Sequence, residues 1–156
     1  MLAGARGAVR GGERGKEGGR GVTEPAAVVT DTHPLIFHAA GGTRLSARAA
    51  RAFRAAEERR TIVYVPVAVM WESCLLARVG RIALGRSAEE FFTDLFSNPA
   101  YQAFDLTSEQ IYIADRERPN EDPFDALVCA AARVLDVPLV TRDGDIQDSR
   151  LVKILW

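Results

Sequence analysis

The residues best suited to chemistry in this chain are carboxylates at four separated places, Asp31, Glu72, Asp125 and Asp143. Asp31 directly follows the apolar run at residues 26–30, and Asp143 follows a second run at residues 138–141. Both runs read as buried parallel strands, and in open α/β sheets the working crevice lies at the carboxyl ends of the strands. Topology therefore predicts both aspartates on one edge of the sheet. Glu72 interrupts the apolar sequence Val69, Met70, Trp71, where an unpartnered carboxylate is costly. Asp125 stands in the first turn of a late helix, three residues after Asp122, and is expected to face the same crest. Carboxylates that share a cleft raise one another's proton affinity unless a positive charge intervenes, and no lysine lies near them in sequence. A hard divalent cation, Mg2+ or Mn2+, answers that repulsion because it prefers oxygen ligands and retained waters. Such an ion activates water and neutralises charge on a phosphodiester, so the chemistry this set predicts is hydrolysis of a nucleic-acid backbone.

Each acid also has a structural use. Asp122 and Asp125 suit the start of a helix. Asp143, before Gly144, and Asp31 suit turns. Glu72 could pair with an arginine such as Arg78. The set and its placement point to chemistry more than any single position does.

The elements that must position these acids follow from periodicity. After the first strand comes a turn-rich segment around Gly41 and Gly42. Ser46 then caps a helix over residues 47–60, with Leu45, Ala49, Ala52, Phe53 and Ala56 on its apolar side. Arg48, Arg51 and Arg59 recur on the opposite side, where they suit either a solvated face or contact with RNA. TIVYVPV reads as a second strand and AVMWESCLLARV as an apolar helix that Gly80 ends. Ser87 opens an amphipathic helix through EEFFTDLF, and Thr107 with Gln110 suggests a capping box. Asp122 and Pro123 open the clearest helix, which Val137 and Pro138 close. PLVT is the next strand, Asp143-Gly144 a turn, and LVKILW a final strand. Strands alternating with helices predict an α/β fold, a parallel sheet covered on both faces with right-handed crossovers.

The 156 residues are 47% hydrophobic and 26% charged, enough for one domain with its own core. A formal net charge of -1 offers no global positive field for a nucleic acid, so such a partner must be recognised locally. Residues 1–22 form a Gly/Arg-rich tail with nothing to bury, expected to be disordered, and residues 23–156 form the domain. The tail's basic residues suit an arm that follows RNA, and translation beginning at Val22 would equally account for the tail. No apolar run approaches the length of a membrane span and no secretory signal is evident, so the expectation is a soluble, cytoplasmic protein. Cys74 and Cys129 are expected to be small core residues.

Together these segments resemble VapC-type PIN-domain toxins, the ribonuclease halves of bacterial toxin-antitoxin pairs. The resemblance covers about residues 26–156 and rests on VVTDTHPLIF, VPVAVMWESCLLARVGRI, DPFDALVCAAARVLDVPLVTRDGDI and the terminal LVKILW. It implies a three-layer sandwich around a five-stranded, mostly parallel sheet, and Mg2+- or Mn2+-dependent endoribonuclease activity. It also implies homodimerisation and a VapB-like antitoxin partner. By this resemblance the metal is held by Asp31, Asp125 and Asp143 and the helical glutamate is Glu72, with Asp122 second to Asp125. Thr32 and Thr141 supply supporting hydroxyls, and Asp145 a further acid. Two features depart from the family pattern: the Gly/Arg tail, and His38 where an aromatic residue is common. His33 is expected to pack or hydrogen-bond rather than act as a base.

Two other aspartate-after-strand families fit less well. A haloacid-dehalogenase-like phosphatase wants a second aspartate where His33 stands, and a receiver domain wants a late lysine outside the terminal strand, where Lys153 lies. The alternative that survives is a PIN scaffold that binds RNA or a protein while cleaving weakly. The RNA target and the antitoxin are not legible in these residues.

Overall fold

The structure, a computed structural model, describes residues 21–156. The expected disordered tail lies outside the described residues except for Gly21 and the exposed Val22. The chain runs β1 (Ala27–Thr30), α1 (Thr32–Ala39), α2 (Ala47–Glu57), β2 (Ile62–Pro66), α3 (Val67–Arg78) and α4 (Ala88–Ser97). It continues β3 (Tyr101–Phe104), α5 (Ser108–Arg116), α6 (Pro123–Leu135), β4 (Leu139–Val140), α7 (Gly144–Ser149) and β5 (Ile154–Leu155).

The strands form one sheet in the order β3-β2-β1-β4-β5, every pair parallel. The expected mostly parallel sheet is thus fully parallel among the described residues. Val28 and Val29 on β1, neighbours that point to opposite faces, are both fully buried, which requires a layer of helices on each side. Alanines at positions 49, 52, 55 and 56 of α2 and 130, 131 and 132 of α6 are buried, and their small side chains let those helices pack closely against their neighbours. The order matters for function. β1, β2 and β3 step outward on one side, whereas β4 returns to the other side of β1, so a topological switch point opens between β1 and β4.

Several elements differ from their expected form. α2 stops at Glu57, and Arg59 takes a left-handed conformation (φ 58°) outside it. The terminal strand is confined to two residues, because the rest of LVKILW reaches past the short β4. Asp143-Gly144 is a helix start rather than a turn. α1 and β3 were not expected: α1 is buried along most of its length, leaving no amphipathic period to read, and YQAF is short with one buried residue. Gln110 does not close a capping box on Thr107 but donates to the Asp105 carbonyl; the reciprocal box joins Ser87 and Glu90. Gly80 ends α3 as expected, at φ 73°. Cys129 is buried, while Cys74 is partly exposed.

At the amino edge of the sheet, His38 fills the position expected to be aromatic by stacking on Phe53 at 4.5 Å. Its Nε2 lies 3.0 Å from Glu57, which also accepts a 2.8 Å hydrogen bond from the Tyr101 hydroxyl. Burial opposes ionisation of Glu57, but the bonds from His38 and Tyr101 outweigh it and hold its carboxyl below the usual range. A depressed carboxylate contributes stability above its unfolded pKa and loses it as pH falls through the lower folded value. Glu57→Gln should therefore lower the neutral plateau and flatten the acid limb below about the ordinary value of 4.5, so that the variant and wild type converge at low pH, as followed by thermal melts. Tyr101→Phe should cost about 1 kcal/mol in denaturant unfolding.

Candidate active site

Three acids begin helices whose amino termini meet at the carboxyl edge of the sheet. Asp31 caps α1, Asp122 caps α6 and Asp143 caps α7. The helix amino ends carry partial positive charge and unsatisfied N–H groups, and this lets carboxylates gather there. Capping and chemistry are not alternatives at these positions, since each carboxylate oxygen has two lone pairs and a cap hydrogen bond uses only one of them.

Asp31 is the innermost, 8% exposed. One of its oxygens accepts from the Thr32 backbone N–H at 2.7 Å and the other from the Thr141 hydroxyl at 2.7 Å. The Thr141 oxygen in turn accepts from the Asp143 N–H at 3.0 Å, so one hydroxyl joins the acid after β1 to the acid after β4. The Asp31 backbone N–H bonds the Val140 carbonyl at 3.0 Å and fixes the same junction. Glu72, on α3, accepts from the Thr32 hydroxyl, which answers the cost of a carboxylate in an apolar helix. Arg78 lies over the Trp71 ring instead of pairing with Glu72.

Asp31, Glu72, Asp122, Asp125 and Asp143 all line one cavity of about 370 Å³. The sequence-predicted acids are thus brought together, with Asp122 among them. Asp145 does not line the cavity but is tied to it through Asn120, whose amide donates to Asp125 at 2.8 Å and to Asp145 at 3.2 Å. The Asn120 carbonyl oxygen accepts from the Asp122 N–H at 2.8 Å. Asn120 was not singled out in the sequence; its place two residues before a helix-capping aspartate was the available signal.

The electrostatics record crowding of negative charge. Burial, followed by the charges of Asp31, Asp122 and Asp143, pushes Asp125 up to about 7. Burial raises Asp31 above the usual carboxylate range, aided by the Glu72 charge, against the bonds from Thr141 and Thr32. Burial likewise raises Glu72, aided by Asp122 and opposed by Thr32 and Arg81. A set of hard oxygen donors whose charges penalise one another is the donor chemistry that suits Mg2+ or Mn2+. Among the described residues no three metal-binding side chains converge tightly enough to enclose an ion by themselves. A cation here would take one or two carboxylates directly and reach the others through water, which is the habit of Mg2+.

Of the arginines expected to follow RNA, Arg51 is paired with Glu24 at 2.9 Å, and Arg59 lies at the amino edge just before β2. Neither they nor Arg48 line the cavity; Arg81 and Arg142 do.

Thr141 gives a direct test of the junction. Thr141→Val keeps the shape but strands the buried Asp31 oxygen and the Asp143 N–H, so it should cost about 1–3 kcal/mol in denaturant unfolding, with or without divalent ions.

No curated protein matches the chain by sequence. Among solved structures it is similar to a chain of VapBC2 from Rickettsia felis, bound to a DNA fragment from their promoter, with a TM-score of 0.60 and 11% identity over 82% of this chain and 96% of that one. It is similar to FitAcB from Neisseria gonorrhoeae at TM-score 0.55 and 12% identity, covering 83% and 96%. Mycobacterium tuberculosis VapC20, described as a sarcin-ricin loop cleaving toxin, aligns at TM-score 0.54 and 22% identity over 83% and 99%. These likenesses concern the fold, and the sequence profile of the PIN domain independently matches residues 28–150. That match spans both ends of the acid set, from the strand before Asp31 to the helix after Asp143, and the chain belongs to the PIN-domain family.

Proposed function

We propose that this chain is a divalent-metal-dependent endoribonuclease that acts as the VapC-like toxin of a toxin-antitoxin pair. The observation that carries the reading is the convergence of Asp31, Glu72, Asp125 and Asp143 on one cavity at the β1/β4 switch point. Asp31, Asp125 and Asp143 would hold the cation, with Asp122 and Asp145 nearby. When bound, Mg2+ or Mn2+ would supply an activated water and neutralise charge on the phosphodiester. The protein's own part is positioning. Thr141 sets the spacing of Asp31 and Asp143, Thr32 orients Glu72, and Asn120 keeps Asp125 and Asp145 from turning away from one another.

The VapBC and FitAB neighbours support the toxin role and a VapB-like antitoxin partner, and the RNA-cleaving description of VapC20 supports an RNA substrate. We extend the reading to a homodimer. No described helix is long and apolar enough to cross a membrane.

The deciding experiment incubates purified chain with single-stranded RNA in Mg2+, in Mn2+ and in chelator. Cleavage that needs the metal supports the reading. RNA binding without cleavage under all three conditions would replace it with the weakly cleaving scaffold, and neither binding nor cleavage would remove RNA from its function.

A further inference from the structure

We propose that Arg142 and Arg44, carried on the Phe37 ring, together with Arg81 across the cavity, grip the backbone phosphates of single-stranded RNA on either side of the scissile one. This rests on the ribonuclease reading. The cavity itself is lined by acids, so an RNA strand is repelled at the point where it must be cut. A cation among those acids offsets charge locally, and the neighbouring phosphates need positive groups of their own.

Three arginines are placed to supply them. Among the described residues Arg51, Arg60, Arg86, Arg118 and Arg133 are held in ion pairs, whereas Arg44, Arg81 and Arg142 are in none. Arg81 follows the turn that ends α3 and acts electrostatically on Glu72, so it stands on the Glu72 side of the cavity. Arg142 stands on the Asp143 side, between Thr141 and Asp143, and lines the cavity as well. Its guanidinium lies 4.9 Å from the centre of the Phe37 ring, and that of Arg44 lies 4.5 Å from the same centre.

Phe37 is itself 5% exposed, so it is a fixed platform rather than a mobile surface ring. Cation–π contact holds each guanidinium while leaving its N–H edge open to a phosphate oxygen, a geometry a lysine would not reproduce. Two guanidinium groups on one ring, with no carboxylate paired to either, repel each other; an anion bound there removes that repulsion. His33 continues the surface, since it lines the cavity and its ring centre lies 6.0 Å from that of Phe37. A strand leaving the acids therefore passes His33 and reaches the paired arginines.

The test is binding and cleavage of a short labelled single-stranded RNA by the full chain over a salt series. Arg142→Gln should raise KM with kcat largely kept, and lower the slope of log affinity against log salt by about 0.7, the value of one single-strand phosphate contact. Arg44→Gln should do the same. Arg142→Lys keeps the charge and should restore the slope while affinity stays reduced. Arg60→Gln, at the opposite edge of the sheet and paired with Glu58, should change neither quantity. Arg142→Gln and Arg44→Gln with wild-type KM and salt slope, in a chain that cleaves RNA normally, would overturn this proposal alone. A wild-type chain that neither binds nor cuts RNA would overturn the ribonuclease reading and this one with it.

Discussion

Asp125→Asn is expected to reduce metal-dependent RNA cleavage by more than the roughly 10–100-fold typical of losing an outer partner of a metal site. Asp31→Asn and Asp143→Asn should do likewise. The asparagine substitution matters because two of these acids also cap helices. Asparagine is as good an N-cap as aspartate, whereas alanine would cost about 1 kcal/mol of helix stability in addition to any loss of chemistry. At Asp31 the new amide must face either the Thr32 N–H or the Thr141 hydroxyl, and the hydroxyl can reverse to accept from it. Circular dichroism and melting curves should therefore show a native fold in all three variants while cleavage of single-stranded RNA is lost. Retained cleavage in any two of them would remove the acid set from the mechanism.

The second large effect is on stability. Asp125 has its pKa pushed up to about 7 by burial and the acids around it, so its ionisation works against the fold. The sign follows from linkage: a carboxyl raised in the folded state takes away stability as pH climbs from its unfolded value to its folded one, and the loss is complete above that. In chelator at a pH above about 7, Asp125→Asn should thus melt no lower than wild type, and higher if the relief exceeds the loss of good hydrogen-bond geometry with Asn120. Added Mn2+ should reverse the ranking. An ion present at 100 times its Kd stabilises the folded state by about 2.7 kcal/mol. For a domain of this size that corresponds to a rise of roughly 5–10 °C in Tm for wild type, and little for the variant. Equal, metal-independent melting of the two proteins would identify Asp125 as a structural acid.

Much of this was legible in the sequence because the informative signals were local. Asp122 with Pro123 announces α6, and Ser46 and Ser87 announce α2 and α4, since a cap is decided by a few neighbouring residues. Asp31 and Asp143 could be placed on one edge from strand direction alone. What stayed hidden depends on how side chains turn and pack in three dimensions. Nothing around Thr107 reveals that Gln110 turns toward the Asp105 carbonyl, and nothing around Asn120 reveals that it lies against Asp145. α1 was obscured by its own burial, because a helix covered on most sides has no polar stripe to mark its period. The place of Arg59 was hidden by a boundary: α2 ends at Glu57, so Arg59, itself left-handed, lies beyond the helix that carries Arg48 and Arg51.

The placement of β4 beside β1 has a consequence for the ribosome that makes this chain. Asp31 lies at the start of the described sheet in chain order and Asp143 near its end, yet the two are joined through a single threonine hydroxyl across adjacent strands. A nascent chain that has emerged only as far as α5 carries Asp31 and Glu72 but neither Asp125 nor Asp143, and β1 still has an open edge where β4 will pair. Domains generally complete folding as units once their sequence is available. On the proposed function, a chain with its acids split in this way would lack a complete acid set until α6, β4 and the start of α7 have been made.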